Sequence, residues 1–191
     1  MKIIAYKEHD KDRLRLYPLL PNNGKESYAN GGTVSVCYNE NELIFTFECP
    51  YNYPLLLPYS AYNDPVWRGE VVEVFISPYE DRTHYFEFDT APNNSCYNAQ
   101  VLNIGEPTVY VRSINDCPVK YNSNVYANRY VTEIRIPFSL LLKSGEAPRN
   151  IPWLFNAYRI SRGEDVKMFA LSPTGHTSFH VPSEFSSLEF N

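Results

Sequence analysis

Long apolar runs are missing from this sequence, and so is an excess of positive charge. No hydrophobic stretch approaches the ~20 residues of a membrane-spanning helix, and the stretch that follows Lys2 is three residues, too short for the core of a signal peptide. Lys and Arg number 17 against 22 Asp and Glu, a net charge of −5 without a basic cluster. These features argue against nucleic-acid and membrane binding. They predict either a cytoplasmic protein or a secreted one whose leader has been removed.

Cysteine is scarce and is spaced for no known metal or redox motif. Cys37, Cys49, Cys96 and Cys117 form no C-x-x-C pair, so a zinc ribbon or a thioredoxin-type site is unsupported. Symmetric pairing of the first predicted hairpin sets Cys37 opposite Ile44, and a bridge to Cys49 would require another register. We therefore predict reduced, mostly buried cysteines.

Helical periodicity is also nearly absent. Residues 137–142 and 182–185 each resemble a single helical turn that begins with Pro. Neither is long enough to build a helical layer, so α/β architectures are excluded, and residues 50–65 are interpreted as a long loop over one sheet.

Aromatic residues and strand patterns are abundant instead. The chain is 15% aromatic, with 16 Tyr and 11 Phe. Turn residues separate ten strand-like runs: Thr33–Tyr38, Leu43–Cys49, Glu70–Ser77, Thr83–Asp89, Asn98–Leu102, Thr108–Ile114, Tyr126–Ile136, Trp153–Ile160, Val166–Leu171 and Ser187–Phe190. This pattern predicts an all-β fold, an antiparallel β-sandwich with jelly-roll-like or immunoglobulin-like layers, as a single domain over residues 1–191.

Acidic residues fall on the same strand faces as aromatic ones. In a strand, Glu73 shares a face with Val71 and Phe75, and Tyr85, Glu87 and Asp89 share a face on the next strand. If the two strands pair, they line a shallow groove with carboxylates beside rings. Sugars suit such a groove because their C–H faces stack on rings and their hydroxyls donate to carboxylates. Two structural alternatives stay open: Glu73 pairs with a nearby Arg or Tyr, with Arg68 and Arg159 as candidates, or the second face is merely solvated.

Four ordered blocks resemble the carbohydrate-binding modules of family 9. Residues 67–76 read W-R-G-E-V-V-E-V-F-I, similar to the family block W-x-x-D-x-V-E-I-F-I-D, and 85–89 read Y-F-E-F-D, similar to its following strand. Residues 155–160 read F-N-A-Y-R-I, similar to its F-N-x-x-R block. The close of the chain, with A-L-S-P-T at 170–174 and F-H-V-P-S-E-F at 179–185, resembles the family's A-W-S-P-T…F-H-x-P-x-x-F segment.

This resemblance implies a non-catalytic β-sandwich that holds a sugar chain end between two aromatic side chains. By position, Trp67 matches the first aromatic platform, Phe179 the second, and Glu73 an acid that binds a hydroxyl. The family often has Arg and Asn where this chain has Glu87 and Asp89, and a Trp where it has Leu171. The candidate carbohydrate-binding residues are Trp67, Glu73, Tyr85, Glu87, Asp89, Asn156, Tyr158 and Phe179.

The resemblance also implies partners and a cofactor. Family members often carry structural calcium, for which Asp64, Asp81 and Asn93 are candidate oxygen ligands in loops. A transition-metal or haem site at His176 and His180 is disfavoured. The two rings would share one face in a helix, and the Gly, Thr and Pro residues around them oppose helix formation. The expected partners are a carbohydrate ligand and an associated carbohydrate-active enzyme, with the chain itself a monomer.

Two other classes of function compete with sugar binding. Glu73, Glu87 and Asp89 could form the carboxylate pair of a glycoside hydrolase, which requires a separation of ~5–9.5 Å. The aromatic face could instead receive another protein, since Tyr and Trp also dominate protein-binding hot spots.

Overall fold

Alternating apolar side chains fold this chain into short strands joined by tight turns. The structure is a computed structural model, and it describes residues 1–24, 31–105, 109–143 and 152–191. The strands of these ranges are β1 (Lys2–Lys7), β2 (Tyr17–Pro18), β3 (Leu20–Pro21), β4 (Thr33–Tyr38), β5 (Glu42–Pro50), β6 (Val71–Ser77), β7 (His84–Thr90), β8 (Cys96–Asn103), β9 (Val109–Ser113), β10 (Lys120–Val125), β11 (Arg129–Pro137), β12 (Trp153–Arg162), β13 (Val166–Ala170) and β14 (Ser186–Phe190). Single helical turns occur at α1 (Phe138–Leu141) and, as 3₁₀ turns, at Lys11–Arg13, Val66–Arg68 and Pro182–Glu184.

Two layers share strand β1. The first sheet runs β14-β12-β6-β7-β8-β9, with β13 beside β12, and the second runs β10-β11-β5-β4. The first half of β1 pairs with β14 and its last two residues pair with β4, both in parallel. The predicted all-β sandwich is confirmed, but its sheet is mixed rather than purely antiparallel. The reason is that β1, absent from the predicted strands, lies beside strands that run in its own direction.

The main core fills the space between the two layers. Phe45 of β5 lies 5.6 Å from Phe155 of β12, ring centre to ring centre, and Val72 and Val74 of β6 belong to the same cluster. A second apolar cluster, which includes Val71 and Phe75, covers the outer face of the first sheet. Strand β6 is consequently buried on both faces, which explains its nearly continuous apolar sequence.

Most predicted elements are present, with displaced ends. The helical turns near 137–142 and 182–185 are confirmed, whereas β1, β2, β3 and β10 were not predicted. The run predicted from Tyr126 begins as strand β11 at Arg129, and Thr108 lies outside the described residues. Trp67, expected in a loop just before a strand, lies in a 3₁₀ turn.

The cysteines are free, as predicted. Cys37, Cys49 and Cys96 are buried and Cys117 is partly buried, and Cys37 pairs with Ile44 across the hairpin. Within the described ranges, none of the helices has the length and apolar character needed to cross a bilayer.

A buried ion pair between Glu70 and Arg159 joins both layers. The two side chains are 0% and 1% exposed, and Nη2 of Arg159 lies 2.8 Å from Oε1 of Glu70. The same oxygen accepts a hydrogen bond from Tyr130 of the second sheet at 2.9 Å, and Oε2 accepts one from Tyr53 of the long loop at 3.0 Å. Arg159 also donates to the carbonyl of Pro50 at 2.9 Å. The pair therefore fixes the loop that precedes β6 against both sheets.

We expect Glu70→Ala to lower the free energy of unfolding by ~3–5 kcal/mol, because it leaves Arg159 buried without its counter-charge. Urea denaturation followed by fluorescence measures this loss. The matched control is Glu48→Ala, which removes an exposed pair with Arg129 at 3.3 Å and is expected to cost less than ~1 kcal/mol. Equal losses in the two variants would contradict a structural role specific to Glu70.

Candidate functional site

Strand register places two acids between two tyrosines in one row across the outer face of the first sheet. Tyr158 of β12 pairs with Glu73 of β6, Glu73 pairs with Asp89 of β7, and Asp89 pairs with Tyr97 of β8. Glu87 follows Asp89 on the same face and pairs with Phe75. Directly opposed side chains in antiparallel strands have Cβ atoms ~4.5–5.5 Å apart. Glu73, Glu87 and Asp89 therefore form one cluster, here called the acid floor.

An aromatic pair stands at each end of this row. The Trp67 ring meets Tyr97 edge-on at 4.8 Å, and the Phe179 ring stacks on Tyr158 at 4.1 Å with an interplanar angle of 15°. Trp67 is held by its 3₁₀ turn, whose exit requires Gly69 because a Cβ there would lie 2.6 Å from the carbonyl oxygen of Leu56. The two predicted platforms thus lie at opposite ends of the acid floor.

The acid floor is buried and incompletely hydrogen-bonded. Glu73, Glu87 and Asp89 are 3%, 6% and 0% exposed. Glu87 and Asp89 share a side-chain hydrogen bond with each other. Outside the floor, no hydrogen-bond partner among the described residues reaches Oε1 of Glu73, Oε2 of Glu87 or either carboxylate oxygen of Asp89. Buried polar atoms in native proteins are nearly always bonded, and an unpaired buried charge is strongly unfavourable. Such a cluster persists when a ligand or a bound proton supplies what the fold does not.

Burial raises the pKa of every acid in the floor. Desolvation raises the pKa of Glu87 to about 7, partly offset by its interaction with Asp89. Desolvation, and then repulsion from Glu87, raises the pKa of Glu73 well above its usual range. Desolvation followed by repulsion from both glutamates does the same to the pKa of Asp89. Burial and mutual repulsion therefore favour the protonated forms of these acids in the free protein.

Tyr85 and Tyr158 border the floor but use their hydroxyls inside the fold. The Tyr85 hydroxyl and Nδ1 of His180 share a hydrogen bond of 2.7 Å, and burial lowers the pKa of His180 to about 4. The Tyr158 hydroxyl donates to the carbonyl of Phe179 at 3.1 Å. Both tyrosines shape the site more than they offer it free donors.

Asn156 is likewise occupied. It is 0% exposed, its Nδ2 donates to the Ser172 carbonyl at 2.7 Å, and its Oδ1 accepts from the backbone N–H of Ser172 and of Ala157 at 3.0 Å each. This amide fixes the segment after β13 against β12. Sugar contact by Asn156 stays a prediction.

Tyr97 was missed at the sequence level although a signal existed. The turn residues Pro92, Asn93 and Asn94 separate β7 from β8, and a hairpin centred on Asn93 sets Asp89 opposite Tyr97, as observed. The predicted strand that corresponds to β8 begins at Asn98, one residue after Tyr97, and so does not include this pairing.

The predicted calcium ligands make hydrogen bonds to nearby loop backbone. Asp64 accepts a hydrogen bond from the backbone N–H of Ala61 at 2.8 Å, Asp81 accepts from the N–H of Thr83 at 2.7 Å, and Asn93 donates to the carbonyl of Tyr59 at 2.8 Å. Across the ranges described, no group of three or more His, Cys, Asp or Glu side chains has metal-binding geometry. Structural calcium stays a prediction from the family resemblance.

A cavity of about 400 Å³ lies beside the floor, at the ends of β6 and β7, where Ser77, His84, Tyr85 and Leu141 contribute to its walls. Tyr85 is the one predicted carbohydrate-binding residue among its described lining residues, and the candidate calcium ligand Asp81 also lines it. The cavity contains neither aromatic pair and none of the floor acids, so we place the candidate site at the acid floor.

Comparison with solved structures identifies the fold. A Bacteroides uniformis ATCC 8492 protein with a proposed carbohydrate-binding role superposes with a TM-score of 0.82 and 17% identity, over 100% of this chain and 98% of that one. A family 9 carbohydrate-binding module from Caldicellulosiruptor kristjanssonii superposes with a TM-score of 0.68 in complex with glucose and with cellotriose. Those two matches are 12% and 13% identical and cover 100% of this chain and 96% and 94% of the module. The chain therefore has the fold of family 9 carbohydrate-binding modules.

Sequence comparison adds one relative. An Arthroderma benhamiae protein named "Extracellular protein" is 28% identical over 174 residues, covering 83% of this chain and 78% of that protein. No protein-family model matches the chain.

We expect the free energy of unfolding to fall as pH rises from about 4.5 through about 7, because burial raises the pKa of Glu87 in the folded chain from its ordinary value of 4.5 to about 7. Glu87→Gln should flatten this dependence and stabilise the unliganded protein by on the order of 2–3 kcal/mol at pH 8. Urea denaturation across this pH range measures both effects. The control, Glu40→Gln at an exposed turn, should follow the wild type. Stability that rises from pH 5 to pH 8 would contradict the buried, unpaired floor.

Proposed function

We propose that this chain is a carbohydrate-binding module that holds a sugar residue over the acid floor, between the Trp67–Tyr97 and Phe179–Tyr158 pairs. The observation that carries this proposal is the row Tyr158–Glu73–Asp89–Tyr97 with its unpartnered, buried carboxyl oxygens. Trp67 and Tyr97 are partly exposed and offer a stacking face to sugar C–H groups, whereas Phe179 and Tyr158 are 5% and 0% exposed and close the other end of the row. The carboxyl oxygens between them offer acceptors to hydroxyls.

The fold supports this proposal independently of the site. Modules of the same fold include one that was solved with glucose and with cellotriose. We propose a ligand of that general class, a mono- or oligosaccharide or the end of a polysaccharide. The relative named as an extracellular protein supports action outside the cell, where a carbohydrate-active enzyme is the proposed partner.

The carboxyls favour binding over hydrolysis. A glycosidase needs two carboxyls whose pKa values are pushed apart, so that one is ionised while the other holds a proton. Here burial raises the pKa of all three acids, and no described Lys or Arg forms an ion pair with them. None of the described Lys and Arg side chains therefore holds one of these carboxyls ionised as a nucleophile or base.

We expect Trp67→Ala to weaken binding to a ligand selected on a glycan array by ~1–3 kcal/mol, roughly 5- to 150-fold, on the scale of an aromatic stacking platform. Isothermal titration calorimetry measures the loss. The control is Tyr110→Ala, which removes a ring that is 61% exposed on edge strand β9; it should bind like the wild type. Unchanged affinity in a folded Trp67→Ala variant would remove Trp67 from the site.

We expect Glu73→Gln to weaken sugar binding by on the order of 1–2 kcal/mol, because the amide replaces one accepting carboxyl oxygen with a nitrogen that only donates. The wild type should release no reducing sugar from the same oligosaccharide. Turnover in the wild type that Glu73→Gln abolishes while binding persists would establish a hydrolase instead.

A further inference from the structure

The acid floor is rich in acceptors and poor in donors. Four buried oxygens, one each on Glu73 and Glu87 and two on Asp89, have no hydrogen-bond partner among the described residues outside the floor. An ionised carboxylate accepts hydrogen bonds and donates none. When its carboxyls are ionised, the floor therefore matches a ligand group that brings several hydrogen-bond donors.

The polar side chains around the floor do not supply the missing hydrogen-bond donors. The Tyr158 hydroxyl is committed to Phe179, the Asn156 amide to Ser172, and the Tyr85 hydroxyl to His180. A neutral sugar hydroxyl donates one hydrogen bond and also accepts. Hydroxyls that donate to this floor would find few protein donors for their own oxygen atoms.

In the part of the chain that the structure describes, no Lys or Arg side chain forms an ion pair with the floor acids. Arg159, on the adjacent strand β12, is paired with Glu70 instead. His180 approaches Glu87 at 4.0 Å, but burial lowers its pKa to about 4, so it is neutral near pH 7. The other titratable groups facing the floor are uncharged at that pH: Tyr85, Tyr97, Tyr158 and Cys96. Three carboxyls thus share a buried position in which none of the described Lys and Arg side chains forms an ion pair with them.

We propose that the acid floor selects an amino sugar, a hexose with a protonated primary amine, over the neutral hexose of the same shape. This inference rests on the function proposed above and names its ligand class. An ammonium group supplies three donors, accepts nothing and carries the opposing charge. It complements the floor in both hydrogen bonding and charge, while the sugar ring uses the partly exposed Trp67–Tyr97 pair.

Proton release accompanies this recognition. In the free floor the protonated acids are favoured because burial raises the pKa of each acid. A bound ammonium group favours the ionised carboxylates, so these protons leave to solvent. Affinity for the amino sugar therefore rises with pH between about 5 and about 6.5, a range in which the amine itself stays protonated.

Calorimetric titration of the whole chain with D-glucosamine, D-glucose and N-acetyl-D-glucosamine tests the proposal at 0.15 M NaCl. We expect D-glucosamine to bind at least ten-fold more tightly than the two neutral sugars. Its binding heat should depend on the ionisation heat of the buffer, which reports proton release. Asp89→Asn and Glu87→Gln, each checked for folding by circular dichroism, should lose most of the preference, and Glu40→Gln should keep it.

The outcomes separate this inference from the function on which it rests. Equal affinity for D-glucosamine and D-glucose would overturn the amino-sugar preference and leave carbohydrate binding intact. A preference that survives in folded Asp89→Asn and Glu87→Gln would also overturn it, since net charge alone would then explain the effect. Failure to bind any sugar, on the array or in solution, would overturn the proposed function itself.

Discussion

The buried pair of Glu70 and Arg159 is the interaction on which the site depends. Both side chains are nearly inaccessible, and hydrogen bonds from Tyr130, Tyr53 and the backbone N–H of Arg162 complete the coordination of Glu70. Buried ion pairs are tolerated when such bonds satisfy the remaining lone pairs. Because Tyr53 belongs to the long loop and Glu70 ends it, the pair also fixes the backbone that carries Trp67.

Glu73 illustrates the opposite solution only three residues further along. It is as deeply buried as Glu70, yet one of its oxygens has no partner, and it faces Asp89 across the strand pair. The fold therefore satisfies one acid completely and leaves a cluster of three others unsatisfied. Local destabilisation of this kind is typical of binding sites, where stability is lost so that a ligand can supply the missing interactions. The contrast supports a structural role for Glu70 and a ligand-directed role for the acid floor.

The sequence predicts which face of a strand a side chain lies on better than it predicts which residue that side chain contacts. Alternation along a strand is geometric, so the shared face of Glu87 and Asp89 follows once the strand is recognised. Which acid pairs with Arg159 depends on where the long loop ends. Strand alternation alone did not show whether that acid is Glu70 or Glu73. Predicting the position of Tyr97 required the register of the β7–β8 hairpin. Strand β8 begins before its clear apolar pattern, so that pattern alone did not reveal the register. Strand β1 was missed because its apolar run is short and its partners lie far along the chain.

The central claim is that a sugar contacts the carboxyls of the acid floor, and carbon-detected NMR of those carboxyl groups tests it most directly. With side-chain carboxyl carbons labelled and assigned, the resonances of Glu73, Glu87 and Asp89 should titrate at raised pH in the free chain. Saturating sugar should shift all three resonances and leave that of Glu40 in place. A sugar that binds, as judged by its own signals, while these three resonances stay unchanged would contradict the account.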